Sequence, residues 1–584
     1  MGWVVGFVGR REAYHVCCCV YLIYCIVDND MGCLLHRLTS ASVVVFLLSA
    51  CGGGTPGVGG SKDTSVKKTV TLSGTVTYTD YRADPVFGLD YSRPLEKPIR
   101  AAMIELRNRR GTVLASGNTT ATGGYTFTVP VNLVFQLVVK AALGKDPAAP
   151  DTQVVDNTRG DGHALYTLFL SGTTGTKDLV RNYNADSGWD GSAYSGERAA
   201  APFAILDVIY QAQQFVLAAD SGISFPPLLV NWSKNNKPVT PVDIARGDIK
   251  DSHYDPGTGN LYLLGAENLD TDEYDTHVIA HEWAHYFLDK FSRSDSLGGA
   301  HAIGDILDPT VAFDEGFSNA LSAMILNDPV YVDTKGKAQS EFISVMDIEA
   351  DSVSRSDVNS EGVLLDGFYS EASIQELLYD LFDSGISDDD TIGLGFKPLY
   401  QVLINGQRTT PAYTSIYSFL YFLKQAYPGL SDDITGLAQA ENIGPGDEYQ
   451  DANHPFYTTV PMDVTVTKDE QGNLLQTWNT FGNITADDSG NKFNNRLFFK
   501  FTAPSADCYV LGVYPVSPTP KGDLVIYGTK GVLIDQYKQG SPEWAAGSFS
   551  QKEKMSFAVG SLGGEVHFTV RMSRSTNPQV DCSS

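Results

Sequence analysis

Cysteine all but vanishes from this chain after residue 51. Six of its eight cysteines lie in the first 51 positions, leaving only Cys508 and Cys582 beyond. That excludes a scaffold built on many disulfides. In an oxidising compartment the two late cysteines can form one bridge. Positive charge is also short: 42 Lys and Arg face 69 Asp and Glu, for a net charge of −27. So acidic a surface repels phosphates and excludes nucleic acid as a partner. No apolar run reaches the about 20 residues that a membrane-spanning helix needs. No segment fits an EF-hand loop, so a structural Ca²⁺ is conceivable on an acidic surface but has no motif behind it. What is present is ordinary globular material, 42% hydrophobic and 11% aromatic over 584 residues. At about 100–200 residues per domain that is enough for several cores.

The N-terminus reads as an address. From Met31 come His36 and Arg37, then the apolar run Ala41 to Leu48, then Ser49-Ala50-Cys51. A basic region, a short apolar region and a small-residue cleavage site make a signal peptide. Leu48-Ser49-Ala50-Cys51 resembles a bacterial lipobox, which implies cleavage before Cys51 and a lipid on its sulfur. The expected product is an exported bacterial lipoprotein of the outer membrane or cell surface. Residues 1–30 read as a spurious extension, 31–50 as the leader and 51–66 as a flexible, glycine-rich tether. Losing residues 1–50 removes three basic and three acidic residues, so the mature charge stays at −27.

The fold class expected is multidomain: an α+β central domain with a mostly helical second half, flanked by two all-β sandwiches. Residues 67–142 alternate with strand period and are broken by Gly and Asn turns. Ser73-Gly74-Thr75-Val76, Pro98-Ile99 and Thr122-Gly123-Gly124-Tyr125-Thr126-Phe127 resemble the carboxypeptidase regulatory-like (transthyretin-like) domain. Residues 143–200, rich in Gly, Asp and Thr, read as an irregular entry to a central domain spanning 143–455. Apolar periodicity there predicts helices over 199–219, 276–291, 310–326, 370–382 and 414–426. Strands return over 456–584. Asn495 to Phe501 and Asp523 to Tyr527 resemble the bacterial pre-peptidase C-terminal domain.

The chemistry centres on His281-Glu282-Trp283-Ala284-His285. Two histidines four apart fall about 40° apart on one helix face, so both imidazoles can reach one Zn²⁺. Glu282, one position on, can take a proton from water activated by the metal. Asp270-Thr271-Asp272-Glu273 ahead of the helix supplies capping and negative charge. Zinc needs a third ligand and an open position. No Gly or His follows His285 at metzincin spacing. Ala312-Phe313-Asp314-Glu315-Gly316-Phe317-Ser318-Asn319 instead resembles the second zinc helix of the gluzincins, the thermolysin-like class. The resemblance implies Glu315 as the third ligand, with Asp314 the fallback if the register slips by one. It also implies that Asn319, four residues on, steadies a zinc histidine.

Twenty-nine residues separate His285 from Glu315, more than in the best-known gluzincins. The surplus reads as a loop at the mouth of the site, where His301 can meet substrate. His277 extends the histidine face by a turn and is expected to pack. Tyr369, with Tyr379 behind it, is the candidate to stabilise the oxyanion. Leu261-Tyr262-Leu263-Leu264 is either an edge strand that pairs with an extended peptide or an interior strand. The expectation is a zinc endopeptidase acting on extracellular or periplasmic polypeptides. The alternatives are an inactive surface-binding or adhesion lipoprotein on the same scaffold, or a zinc hydrolase with a non-peptide substrate.

Overall fold

The computed structural model of the chain describes residues 69–144, 151–161, 163–350, 357–359, 362, 364–383, 392–459, 478–479, 491–493, 495–515, 523–528, 531–534, 543–562 and 567–574. The leader, Cys51, the tether and Cys582 lie outside them. Among the described residues no helix is long and apolar enough to cross a membrane.

Strand β1 (Thr69–Asp80) is the spine of the first sandwich. Val70, Leu72, Val76 and Tyr78 point inward while alternate neighbours stay partly exposed, the period of a strand with one wet face. It pairs antiparallel with β2 (Leu95–Pro98). A second sheet holds β3 (Met103–Asn108) next to β4 (Val113–Asn118). Strand β5 (Gly124–Pro130) pairs with β1, and β6 (Val134–Lys140) with β3.

The sandwich does not stop at residue 142. The chain leaves it to form β7 (Thr152–Asp156), then returns as β8 (Thr167–Thr173), antiparallel to β6. Leu179–Val180 and β9 (Tyr183–Ala185) then run parallel to β1. Residues 143–200 read as irregular because these strands are short and only partly buried, so their alternation is weak.

Helix α1 (Ala201–Ala219) buries Phe203, Ile205, Leu206, Ile209 and Val216. Behind it lies a sheet in the order β7, β10 (Leu228–Trp232), β12 (Asn260–Leu263) and β11 (His253–Asp255), with β11 at its edge. Strand β12 lies between a parallel neighbour, β10, and the antiparallel β11. Leu261, Tyr262 and Leu263 are therefore interior, which corrects the expectation that they offer an edge to substrate. Burial on both faces is what makes such a strand read as a continuous apolar run.

Strand β13 (Asp270–Thr271) pairs with Gly265–Ala266 in a small sheet and leads into α2 (Thr276–Phe291), the helix expected over the same residues. Trp283, Phe287 and Leu288 on α2 are fully buried, and the last two contribute about 1.5–3 kcal/mol each. Helix α3 (Pro309–Leu326) is buried along almost its whole length. Strands β14 (Val330–Lys335) and β15 (Phe342–Asp347) complete the small sheet. Helices α4 (Glu371–Asp380) and α5 (Ile416–Ala426) follow. One continuous core joins Leu72 and Val76 of the sandwich to Ile205 of α1, Trp283 of α2 and Phe317 of α3.

The C-terminal part is again two sheets. In the first, β16 (Arg496–Thr502) pairs parallel with Tyr457–Thr459; β17 (Asp507–Pro515) belongs to the second. Next come β18 (Asp523–Gly528), β19 (Glu543–Phe549), β20 (Lys554–Leu562) and β21 (His567–Arg574). The first sheet places β20 between β16 and β18, and the second places β17 between β19 and β21. Phe499, Phe501, Leu511, Ile526 and Phe557 form their shared core. Cys508 on β17 is disulfide-bonded; the expected partner, Cys582, lies outside the described residues.

Candidate metal centre

Helices α2 and α3 pack together and bring three ligand groups to one point. His281 Nε2 lies 3.0 Å from His285 Nε2. Glu315 Oε2 lies 3.4 Å from each of them. Tetrahedral ligands about 2.0–2.1 Å from a zinc ion would stand roughly 3.3–3.4 Å apart, so the donor set fits. The contacts of the other ring nitrogen agree. His285 Nδ1 lies 3.0 Å from Asp314 Oδ2 and 3.1 Å from Ser318 Oγ. A proton on Nδ1 facing the carboxylate leaves the Nε2 lone pair turned to the common point.

Without a cation this cluster holds itself together with protons. Burial opposes charge on His285, but Glu315 and Asp314 outweigh it and raise its pKa well above the usual range. Burial likewise pushes Glu315 up, and His285, His281 and His301 overcome it and hold the carboxyl well below its ordinary value.

Glu282 is buried beside this point, and burial raises its pKa against the pull of His281 and His285. Its Oε2 accepts a 2.7 Å hydrogen bond from the Tyr254 backbone N–H on β11. The edge strand and the general-base candidate are thus tied together. The Tyr254 hydroxyl donates to Asp289 Oδ2 at 2.5 Å, and the His253 ring stacks on Tyr262. A cleft of about 520 Å³ runs along β11 past His281, Glu282, His285, His301 and Glu315. The sequence missed β11 because it is three residues long and polar.

His301 does reach the site. Its Nε2 lies 3.4 Å from Glu315 Oε2 and 3.4 Å from Glu371 Oε2. The loop that carries it is pinned from the C-terminal side: Asn491 Nδ2 donates to the carbonyls of Gly298 and Ala300, and Lys492 Nζ to that of Ala300. Glu371, at the start of α4, was not foreseen. A Cβ on Gly316 would sit 2.8 Å from the Glu371 carbonyl oxygen and from Ile374. Glycine there allows α4 to close on α3 and bring Glu371 in.

Other expectations need correction. Asn319 donates to Gln375 Oε1 at 2.9 Å, away from both histidines; Asp314 and Ser318 steady His285 instead. Asp314 is accordingly a partner of His285 and not the fallback ligand. The Tyr369 hydroxyl donates to the Leu364 carbonyl, and its ring packs on Phe368 and Phe493. It does not line the cleft. His277 packs as expected, with Nε2 2.9 Å from the Asp328 carbonyl. The acidic run ahead of α2 does not cap it. The N-cap residue, Asp275, makes no capping bond and accepts instead from Thr334 N and Oγ1. Glu273 pairs with the buried Arg198.

Glu371 supplies a pH test. Burial pushes its carboxyl up to about 7, opposed by His301, whereas an unfolded Glu titrates near about 4.3. Because the folded value is the higher, its stabilising contribution is present below about 4.3 and is lost as pH rises through about 7. The metal-free chain should lose up to about 4 kcal/mol from this group between those values. In urea unfolding at several pH values, Glu371→Gln should flatten that part of the slope. An unaltered slope would mean that the carboxyl ionises normally.

No protein-family profile matches the chain, and neither does any curated protein. Among solved structures, the pre-peptidase C-terminal domain of a collagenase from Bacillus anthracis matches at 12% identity, covering 17% of this chain and 85% of that one, with a TM-score of 0.12. A cycloisomaltooligosaccharide glucanotransferase from Paenibacillus sp. matches at 9% identity, covering 85% of this chain and 72% of that one, with a TM-score of 0.11. Neither score carries a fold assignment.

Proposed function

We propose that the chain is a zinc-dependent endopeptidase of gluzincin type, with His281, His285 and Glu315 as the metal-holding residues. The observation that carries this is the convergence of His281 Nε2, His285 Nε2 and Glu315 Oε2 at 3.0–3.4 Å beside the buried Glu282. Bound there, zinc supplies a Lewis acid that acidifies a water and polarises the scissile carbonyl. Glu282 takes the proton of the attacking water and returns it to the departing amine as the C–N bond breaks. The Tyr254 N–H fixes the orientation of that carboxylate.

Strand β11 holds the substrate in extended form. In an antiparallel strand the N–H and C=O of one residue point the same way, so the Tyr254 carbonyl shares the open side with the N–H that meets Glu282. It is the acceptor for a substrate N–H. His301, held between Glu315 and Glu371, takes the oxyanion role that Tyr369 is too far out of the cleft to fill. The substrates are exported polypeptides, in keeping with a lipid-bearing Cys51.

Metal analysis with cleavage profiling on a peptide library tests the whole. A chain holding no stoichiometric zinc is not this enzyme. His301→Ala should lower kcat by about 10²–10³-fold with KM and zinc content little changed. Loss of zinc in that variant would make His301 a ligand instead.

A further inference from the structure

The acidic run ahead of α2 is unused by the chemistry above. Asp270 and Asp272 meet Asp333 of β14, and one carboxylate oxygen from each lies within 4.8 Å of the other two. Asp270 and Asp272 are 4% and 3% exposed. In all three residues Oδ1 is buried with no hydrogen-bond partner. Lys335 reaches Asp333 at 2.9 Å and Asp270 at 3.5 Å. Among the described residues Asp272 has no ion pair, and its carboxylate accepts from Ser252 Oγ. One lysine does not offset three carboxylates, and a buried unpaired charge is among the costliest features a fold can carry.

We infer that Asp270, Asp272 and Asp333 bind a hard divalent cation of the calcium type. An all-oxygen set of carboxylates selects such an ion over softer metals. Calcium's variable geometry suits ligands drawn from β13, the turn after it and β14, with backbone carbonyls and water completing the shell. The ion would clip β13 to β14, where Asp270 already faces Lys335 in register. Through Asp272 and Ser252 it would also hold the segment that enters β11, the wall of the cleft. The competing arrangement is a cluster that shares protons: burial, then the neighbouring carboxylates, pushes the Asp272 carboxyl well up.

The test uses the full chain, stripped with chelator, reloaded with zinc and titrated with calcium chloride by calorimetry, thermal melting and metal analysis. One calcium should bind, and at about a hundredfold excess over Kd should raise Tm by the order of 5 °C. Asp272→Asn and Asp333→Asn should each weaken calcium binding at least tenfold and remove the rise, with zinc content unchanged. Asp333 is partly exposed, so its variant keeps the test open should Asp272→Asn fail to fold. A wild-type chain with neither calcium heat nor shift in melting overturns the site, as does an equal shift in the variants. Zinc is counted separately, so either site can fail without the other.

Discussion

Glu282→Gln should fold, hold one zinc and lose about 10²–10⁴-fold or more of its peptide hydrolysis. The substitution keeps the side chain's length and an oxygen for the Tyr254 N–H, which in the wild type bonds Glu282 Oε2 at 2.7 Å. It removes only the ability to take a proton. His281, His285 and Glu315 are untouched, so metal analysis should read the same in both proteins. KM should change little, because strand β11 and the Tyr254 carbonyl remain. Initial rates on casein or a quenched peptide, set beside zinc content, decide the matter. A variant that keeps more than about a tenth of the wild-type rate would remove Glu282 from the chemistry.

The second large effect concerns Arg496, far in sequence from His281, His285 and Glu315. Its guanidinium donates to Asp308 Oδ2 and Oδ1 at 2.8 and 2.7 Å and to Thr310 Oγ1 at 2.9 Å. Both side chains of the pair are at most 2% exposed, among the rings of Tyr413, Phe498 and Tyr527. Asp308 is also the N-cap of α3, accepting from Thr310 N. Arg496→Met would leave that carboxylate buried without its cation, at a cost of about 3–5 kcal/mol. Chemical denaturation should show this, and zinc affinity should fall as the start of α3 loosens beneath Glu315. Removing both charges, Arg496→Met with Asp308→Asn, should recover much of the loss, because the amide can still cap the helix. A single variant within about 1 kcal/mol of wild type would show that the pair is not what seats α3.

The three converging side chains were legible for two reasons: helix period puts His281 and His285 on one face, and Glu315 came from the resemblance of its segment to the second gluzincin helix. Two histidines one turn apart need no tertiary information to share a face, and α2 lies where its apolar residues place it. The partners of those residues were not legible. Asn319 was assigned by counting four from Glu315, but His285 is approached from Asp314 and Ser318, and that depends on how α3 is rotated against α2. Leu261 to Leu263 stood out as a strand because they are buried on both faces, but only the pairing on either side makes them interior. The edge itself, His253–Asp255, is short and polar, as an exposed margin must be. Tyr369 sits at a plausible spacing, yet its ring is committed to Phe368 and Phe493. Glu371 has no motif and arrives only because Gly316 allows two helices to touch.

The chain enters the first sandwich, leaves to lay down β7, returns for β8 and β9, and leaves again. Whatever history produced this arrangement, the sandwich is not a cassette. A truncation beginning at residue 143 would strand β8 and β9 without β6 and β1, while one ending at 142 would deprive those same strands of their completion. Recombination that respected only the order of residues would break both folds at once, so the layer that carries α2 and α3 and its neighbour can be exchanged or lost only as a single piece.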